Sequence, residues 1–421
     1  MSHFPAEKGK TNSKMGKLSV WIWPAVILFF LSGCGLGPSM IRASHLTYND
    51  AVQFTERQEL LLNIVRLRYN EGPEFLATSS ISTQFSLDLS ATAGATVGDD
   101  QAQRTNLVNL GGAAGFSERP TITLTPRHEK EFTQQLISPI ELEIIFLLVN
   151  YGWDIDRVLR LTSDGINGLR NHTFREIPVE NYEAYSLDFT RTIKDLGRLH
   201  RLGLIEMSFE REEIGLSGPL NAEKVNLNDI LNANKDDYKL EYREQTKSYY
   251  LKKMNQNLVL RFSKNAFQRP EFSKIVKRLN LASNVQTYRI VNAPGSQIKL
   301  SEISGESSEF ILSTRSVLGT LAYLSQGVSV PEQHSETGLV SDDKRFKPAA
   351  GILSDLFRVR VQREKPNQVS LAVPYKGYWF FIEENDISSK QTIGVLNSLM
   401  RLKIMAAGTQ KLPLLTLPVG R

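Results

Sequence analysis

The sequence predicts an α+β fold: small strand–helix modules, one long amphipathic β-hairpin, and a final pair of modules that reads as a duplication. Three observations lead there. Period-two alternation runs through residues 80–97 and returns at 108–117, with segments of helical spacing on either side. Residues 313–324 match residues 388–399 without a gap. At 421 residues, 41% hydrophobic and 23% charged, the chain has the composition of an ordinary globular protein.

The first element is a processing segment. Lys8, Lys10, Lys14 and Lys17 precede an apolar run from Leu18 to Leu31, which ends in Leu31-Ser32-Gly33-Cys34. Basic n-region, apolar h-region and small-residue cleavage site stand in that order. The run is short of the ~20 residues a spanning helix needs. Cys34 is the chain's single cysteine, so an intramolecular disulfide is excluded. The four residues resemble the bacterial lipobox. That resemblance implies removal of residues 1–33, acylation of Cys34 and anchorage in membrane lipid. Gly35, where Asp would imply inner-membrane retention, implies the outer membrane, facing the periplasm. Removing the four lysines and one glutamate of residues 1–33 from 50 basic and 45 acidic residues leaves 46 and 44, a net charge of +2. Such a balance is no footprint for nucleic acid.

Residues 34–48 read as a tether rich in Gly, Pro and Ser, and 49–74 as a helix from about Asp50 to Tyr69. Asn49 or Asp50 can cap it, Val52, Leu60, Leu61, Ile64, Val65 and Leu67 form its apolar face, and Gly72-Pro73 ends it.

Residues 75–126 carry the hairpin. Ile81, Thr83, Phe85, Leu87, Leu89, Ala91, Ala93, Ala95 and Val97 alternate with small polar residues, far beyond the usual ~5–6-residue strand. After the polar stretch Gly98–Arg104 the pattern returns in Val108, Leu110, Gly112, Ala114 and Phe116. Pairing Phe85 with Phe116 sets Leu87 against Ala114, Leu89 against Gly112, Ala91 against Leu110 and Ala93 against Val108. The apolar residues then share one face. Asp88 is the only charge from Ser80 to Val97.

Residues 127–211 read as an α/β module: helices at Glu129–Leu136 and Pro139–Tyr151, a strand at Ile155–Leu161, a helix at Tyr185–Arg201 and a strand at Leu204–Phe209. Residues 212–236 read as a polar loop, and 237–290 as a strand meander from Tyr238 to Phe262 plus a helix at Pro270–Leu279. Residues 291–330 and 351–421 are the two repeats, with a loop at 331–350 between them. In each, an apolar strand (Phe310–Leu312, Tyr378–Ile382) precedes a helix whose expected N-cap is Ser313 or Ser388.

No catalytic constellation emerges, so the sequence points away from an enzyme and implies no cofactor. His128-Glu129 lacks the second histidine of a zincin motif, and neither a G-x-S-x-G elbow nor a P-loop is present. His45, His128, His172, His200 and His334 are widely spaced, which gives no metal motif. Glu210-Arg211-Glu212-Glu213 and Asp342-Asp343-Lys344-Arg345 read as solvated loops.

The blocks Leu60–Tyr69, Pro120–Pro126 and Tyr378–Phe381 resemble a family of uncharacterised bacterial outer-membrane lipoproteins. Anchor plus hairpin is also similar in architecture to the ring-forming lipoproteins of the curli-secretion type. That likeness is an analogy without a shared motif. The leading expectation is a homo-oligomeric outer-membrane pore or export channel built from donated hairpins. Its membrane face would be Phe85, Leu87, Leu89, Ala91, Ala93, Leu110 and Phe116. Its lumen face would be Gln84, Ser86, Asp88, Ser90, Asn109 and Ser117, with Asp88 forming a weak cation filter. The alternative is a tethered periplasmic lipoprotein that binds other envelope proteins or acts as a scaffold without a pore. A third reading, an unidentified envelope enzyme, lacks a candidate nucleophile.

Overall fold

The computed structural model describes residues 36–96, 107–126, 130–171, 182–235, 238–293, 306–340 and 353–406, and the fold is α+β. The chain divides into two compact units, residues 1–56 and 57–421. Of the first unit, the described part is the N-terminal portion of helix α1 (Leu36–Arg68).

Helix α1 corrects the expected tether: its helix begins at Leu36 rather than Asp50. Pro38 lies in the first turn, where a missing N–H costs no intrahelical bond. A capping signal read at Asn49 therefore sits inside the helix. In the second unit Leu60, Leu61, Ile64 and Val65 are buried.

Strands β1 (Leu76–Thr96) and β2 (Leu107–Pro126) pair with each other in a two-stranded sheet. Helices α2 (Lys130–Ile137), α3 (Leu142–Asn150) and α4 (Ile155–Thr162) follow. Helix α4 overturns the strand expected at Ile155–Leu161. Asp154 caps it by accepting a bond from the Asp156 N–H, and Ile155, Val158, Leu159 and Thr162 are buried at helical spacing. The N-cap and the spacing of the apolar residues decide the element.

A seven-stranded sheet forms the centre, in the order β4-β3-β9-β8-β7-β5, with β6 also on β7. Its members are β3 (Ser163–Ile166), β4 (Leu169–Arg170), β5 (Ile205–Asn221), β6 (Tyr238–Arg243), β7 (Ser248–Phe262), β8 (Thr287–Asn292) and β9 (Glu309–Thr314). β8 and β9 are parallel, and the other pairs are antiparallel. Helices α5 (Tyr182–Arg201) and α7 (Pro270–Leu279) bury Phe189, Ile193, Leu196, Phe272, Ile275 and Leu279 in one core with Leu258, Leu260, Phe262, Tyr288 and Phe310 of the sheet. Strands from the expected separate modules thus merge into one sheet.

Residues 212–236 are not a loop. β5 continues to Asn221, and helix α6 spans Leu227–Lys235. Glu210-Arg211-Glu212-Glu213 lies within β5, and Lys252 of β7 bridges Glu213 and Glu241 at 2.7 Å each. This ribbon is open to solvent, so its ladder carries little of the apolar alternation that marks a buried strand.

The C-terminal region holds helices α8 (Val317–Ser325), α9 (Glu332–Glu336) and α10 (Ile387–Ala406). It also holds a sheet in the order β10 (Arg360–Gln362), β12 (Tyr378–Glu383), β11 (Val369–Tyr375). The two similar segments share strand-then-helix order, but their caps differ from expectation. Ser316 caps α8 through the Gly319 N–H at 3.0 Å, whereas Ser313 is in β9, paired with Gly165. Asp386 accepts from the Ser389 N–H at 3.0 Å and caps α10, while Ser388 lies within the helix. β9 joins the large sheet through parallel β8, and β12 is the centre of an antiparallel one. Sequence similarity reflected two capped amphipathic helices in different surroundings.

Candidate functional site

The hairpin begins at a buried polar residue of α1. Asn63 is fully buried, and such an amide must find partners. Its Nδ2 donates to the Glu74 carbonyl at 2.7 Å, and its Oδ1 accepts from the Glu74 N–H at 3.0 Å. Arg66 pairs with the Glu74 carboxylate at 3.2 Å. One turn before Asn63, Glu59 accepts from the Leu76 N–H. Phe75 is buried edge-on against Phe132 of α2, ring centres 5.6 Å apart. Phe75 before the hairpin and Phe132 after it therefore meet in one core.

The end of α1 is tied to the C-terminal sheet. The Tyr69 hydroxyl hydrogen-bonds with His334 Nδ1 at 2.7 Å, and both residues are buried. Burial pushes the Tyr69 hydroxyl up to about 12. Glu71 accepts from the Tyr375 hydroxyl and pairs with Lys376 at 2.9 Å. Those two hydrogen bonds hold the Glu71 carboxyl below its ordinary range, with the Tyr375 bond the larger cause.

From this root the two strands pair almost without interruption. The register sets Phe85 opposite Glu118, Leu87 opposite Phe116, Leu89 opposite Ala114, Ala91 opposite Gly112 and Ala93 opposite Leu110. That corrects the expected pairing of Phe85 with Phe116 by two residues. A two-residue shift leaves every residue in its alternate row, so the apolar pattern could not distinguish the registers. The expected membrane row and the expected lumen row each stay together. Ser90 is exposed, and the exposure of the other residues in both rows lies outside the described part.

Charge divides the ribbon. Glu118, Arg119 and Pro120 face Phe85, Gln84 and Thr83 across the ladder. Beyond them, eleven consecutive pairs run from Ser86 with Ser117 to Thr96 with Leu107, and Asp88 is their only charged residue. Among the described residues neither strand pairs with a third. The β5 ribbon offers a contrast. Its edge strand holds four charges in succession at 210–213, two register irregularities and Pro219, all devices that discourage pairing with another chain.

Other polar groups in the interior serve packing. Arg160 is buried and makes two bonds to Asp355, at 3.2 and 2.9 Å, and Lys194 reaches the same carboxylate at 2.5 Å. Arg157 donates to the Ser388 carbonyl at 2.8 Å and the Thr392 hydroxyl at 2.6 Å, which fixes the start of α10. Buried Lys403 donates to Ser138 and Pro139 at 3.0 Å and pairs with Glu141 at 2.8 Å.

His45 and His200 lie apart in the chain from the Tyr69–His334 pair, while His128 and His172 lie outside the described residues. So do Cys34, the hairpin tip at 97–106 and the charged run at 342–345. No group of His, Cys, Asp or Glu suited to a metal occurs among the described residues. None of the described helices is long and apolar enough to cross a membrane. Comparison with protein-family models, curated proteins and solved structures finds no match.

Proposed function

We propose that this chain is an envelope protein anchored through lipid on Cys34, whose copies form a ring and donate their β1–β2 hairpins to a shared outer-membrane barrel. That barrel would serve as a pore or export channel. The carrying observation is the eleven-pair, nearly uncharged end of a free-standing ribbon whose outer edges meet no further strand among the described residues.

Dimensions support the reading. Eleven residues at ~3.3 Å extend ~36 Å. Tilted by ~40°, they cover ~28 Å of membrane normal, close to the ~25–30 Å apolar band of an outer-membrane barrel. The charged positions Glu118 and Arg119 then mark the periplasmic boundary, with the remaining pairs from Leu76 to Phe85 below it as a neck. A two-stranded sheet cannot remain alone in lipid, because its edge N–H and C=O groups would lack partners. Closure by further copies supplies those partners at both edges. In such a barrel Leu87, Leu89, Ala91, Ala93, Leu110 and Phe116 face lipid, and Phe85, paired with Glu118, sits at the periplasmic boundary. Ser86, Asp88, Ser90, Asn109 and Ser117 face the lumen, with Asp88 as a ring of negative charge and Gln84 at the neck beside Arg119.

The second reading, a tethered scaffold, draws on exposed Ile214, Leu216 and Tyr242 of the other ribbon, which offer apolar surface to a partner protein. Light scattering and negative-stain images of the detergent-extracted protein separate the two. The pore reading expects a multi-subunit ring that loses its membrane collar when residues 80–118 are deleted. A monomer or dimer with and without those residues would refute it and leave the scaffold.

A further inference from the structure

We infer that Asn63 is a positioning residue that fixes the hairpin at its root and makes it a rigid limb rather than a swinging arm. Glu59 and Asn63 lie four residues apart, on one face of α1. Together they present acceptor, acceptor and donor to the Leu76 N–H, the Glu74 N–H and the Glu74 carbonyl. The chain entering β1 thus meets a face of α1 that imitates the edge of a neighbouring strand. Arg66 closes the same face by holding the Glu74 carboxylate and reaching Asn63 Oδ1 at 3.4 Å. Phe75, between the two bonded residues, is locked in the core against Phe132.

The physical consequence concerns direction. A hairpin joined through a free loop would sample many angles, and ordering it in a ring would cost conformational entropy in every copy. A root held by three backbone bonds and a buried aromatic ring has lost that freedom before assembly. Limbs leaving equal bodies at equal angles can meet edge to edge. The inference rests on the ring reading only for its channel readout.

The test is hydrogen exchange on the full detergent-extracted chain carrying Asn63→Ala or Asn63→Asp, with the Val259 and Leu260 amides of β7 as an internal reference. Exchange at Glu74 is expected to rise about 10-fold in Asn63→Ala while the β7 amides are unchanged, since opening becomes local. Asn63→Asp keeps the acceptor for the Glu74 N–H but sets an oxygen against the Glu74 carbonyl, so Glu74 exchange is expected to rise there too, by less than in Asn63→Ala. In planar bilayers, Asn63→Ala should replace one conductance level with a broad spread. Unaltered Glu74 protection in Asn63→Ala would overturn the inference. So would an equal rise at β7, since Asn63 would then be a general core residue. If Asn63→Ala fails to fold, unaltered Glu74 protection in Asn63→Asp would overturn it by itself. Wild-type protein that forms no channel yet shows the expected exchange pattern would retain the rigid root and remove the pore.

Discussion

Arginine scanned along one row of the hairpin gives the most demanding test of the membrane reading. The eleven pairs place Leu87 second from the charged boundary, Ala91 sixth and Ala95 tenth. Ala91 is therefore at the midpoint of the proposed span, and the other two are near its ends. Arginine facing lipid costs ~2–4 kcal/mol at the midplane and ~0–1 kcal/mol near the interfaces. The cost repeats in every copy of a ring. Ala91→Arg should abolish channels, Leu89→Arg should come close to that, and Leu87→Arg and Ala95→Arg should retain much of the activity. Thr92→Arg belongs to the other row and should conduct with altered ion selectivity. The assay is planar-bilayer conductance, with protease protection of residues 80–118 in proteoliposomes as a second readout. Flotation is unsuitable, because a lipid on Cys34 would keep every variant on the membrane. Wild-type conductance in Ala91→Arg, or equal damage at all four lipid-row positions, would refute the reasoning.

Two further expectations concern the body. Burial by itself would raise the Asp355 carboxyl, but hydrogen bonds from Arg160 and Lys194 outweigh it and bring the group down to about 2. A depressed carboxylate stabilises the fold above its unfolded value near 4, and that contribution is lost as pH falls through about 2. Asp355 is 43% exposed, so solvent screening reduces the contribution to about 1 kcal/mol. Asp355→Asn should thus lower the urea midpoint at pH 7 and differ progressively less from wild type between pH 4 and 2. A constant difference over that range would contradict the assignment. At Gly394, inside α10, an added Cβ would lie 2.6 Å from Trp153 Cη2. Gly394→Ala should destabilise by ~1–3 kcal/mol through overpacking. In a Trp153→Leu background the same change should become favourable by ~0.5–1 kcal/mol, as helix propensity dictates. Thermal melts of the four proteins measure both effects, and additive losses would exclude the contact.

The legible parts of this chain were those whose signal is local. Helix α7 was readable from Pro270 to Leu279, since Pro at the first position and a short apolar stripe set both ends. The hairpin was readable because alternation over so many residues has no other regular solution, and the alternate rows were set by period two. Chain-distant contacts decided the rest. The pairing of β1 with β2 was ambiguous by two residues, and the structure resolves it with Phe85 opposite Glu118. Residues 212–221 became a strand through β7, which supplies a ladder that their polar composition does not advertise. Asn63 offered a signal, a lone amide within the apolar run Leu60–Val65, but its partner Glu74 lies beyond the helix end. Sequence by itself determined the α+β class and the two rows of the hairpin, because each depends on neighbours in the chain or on a fixed period. Tertiary structure alone decided where the charged boundary falls across the ladder, how α1 holds the root and which strands share a sheet, because these depend on backbone groups finding partners far along the chain.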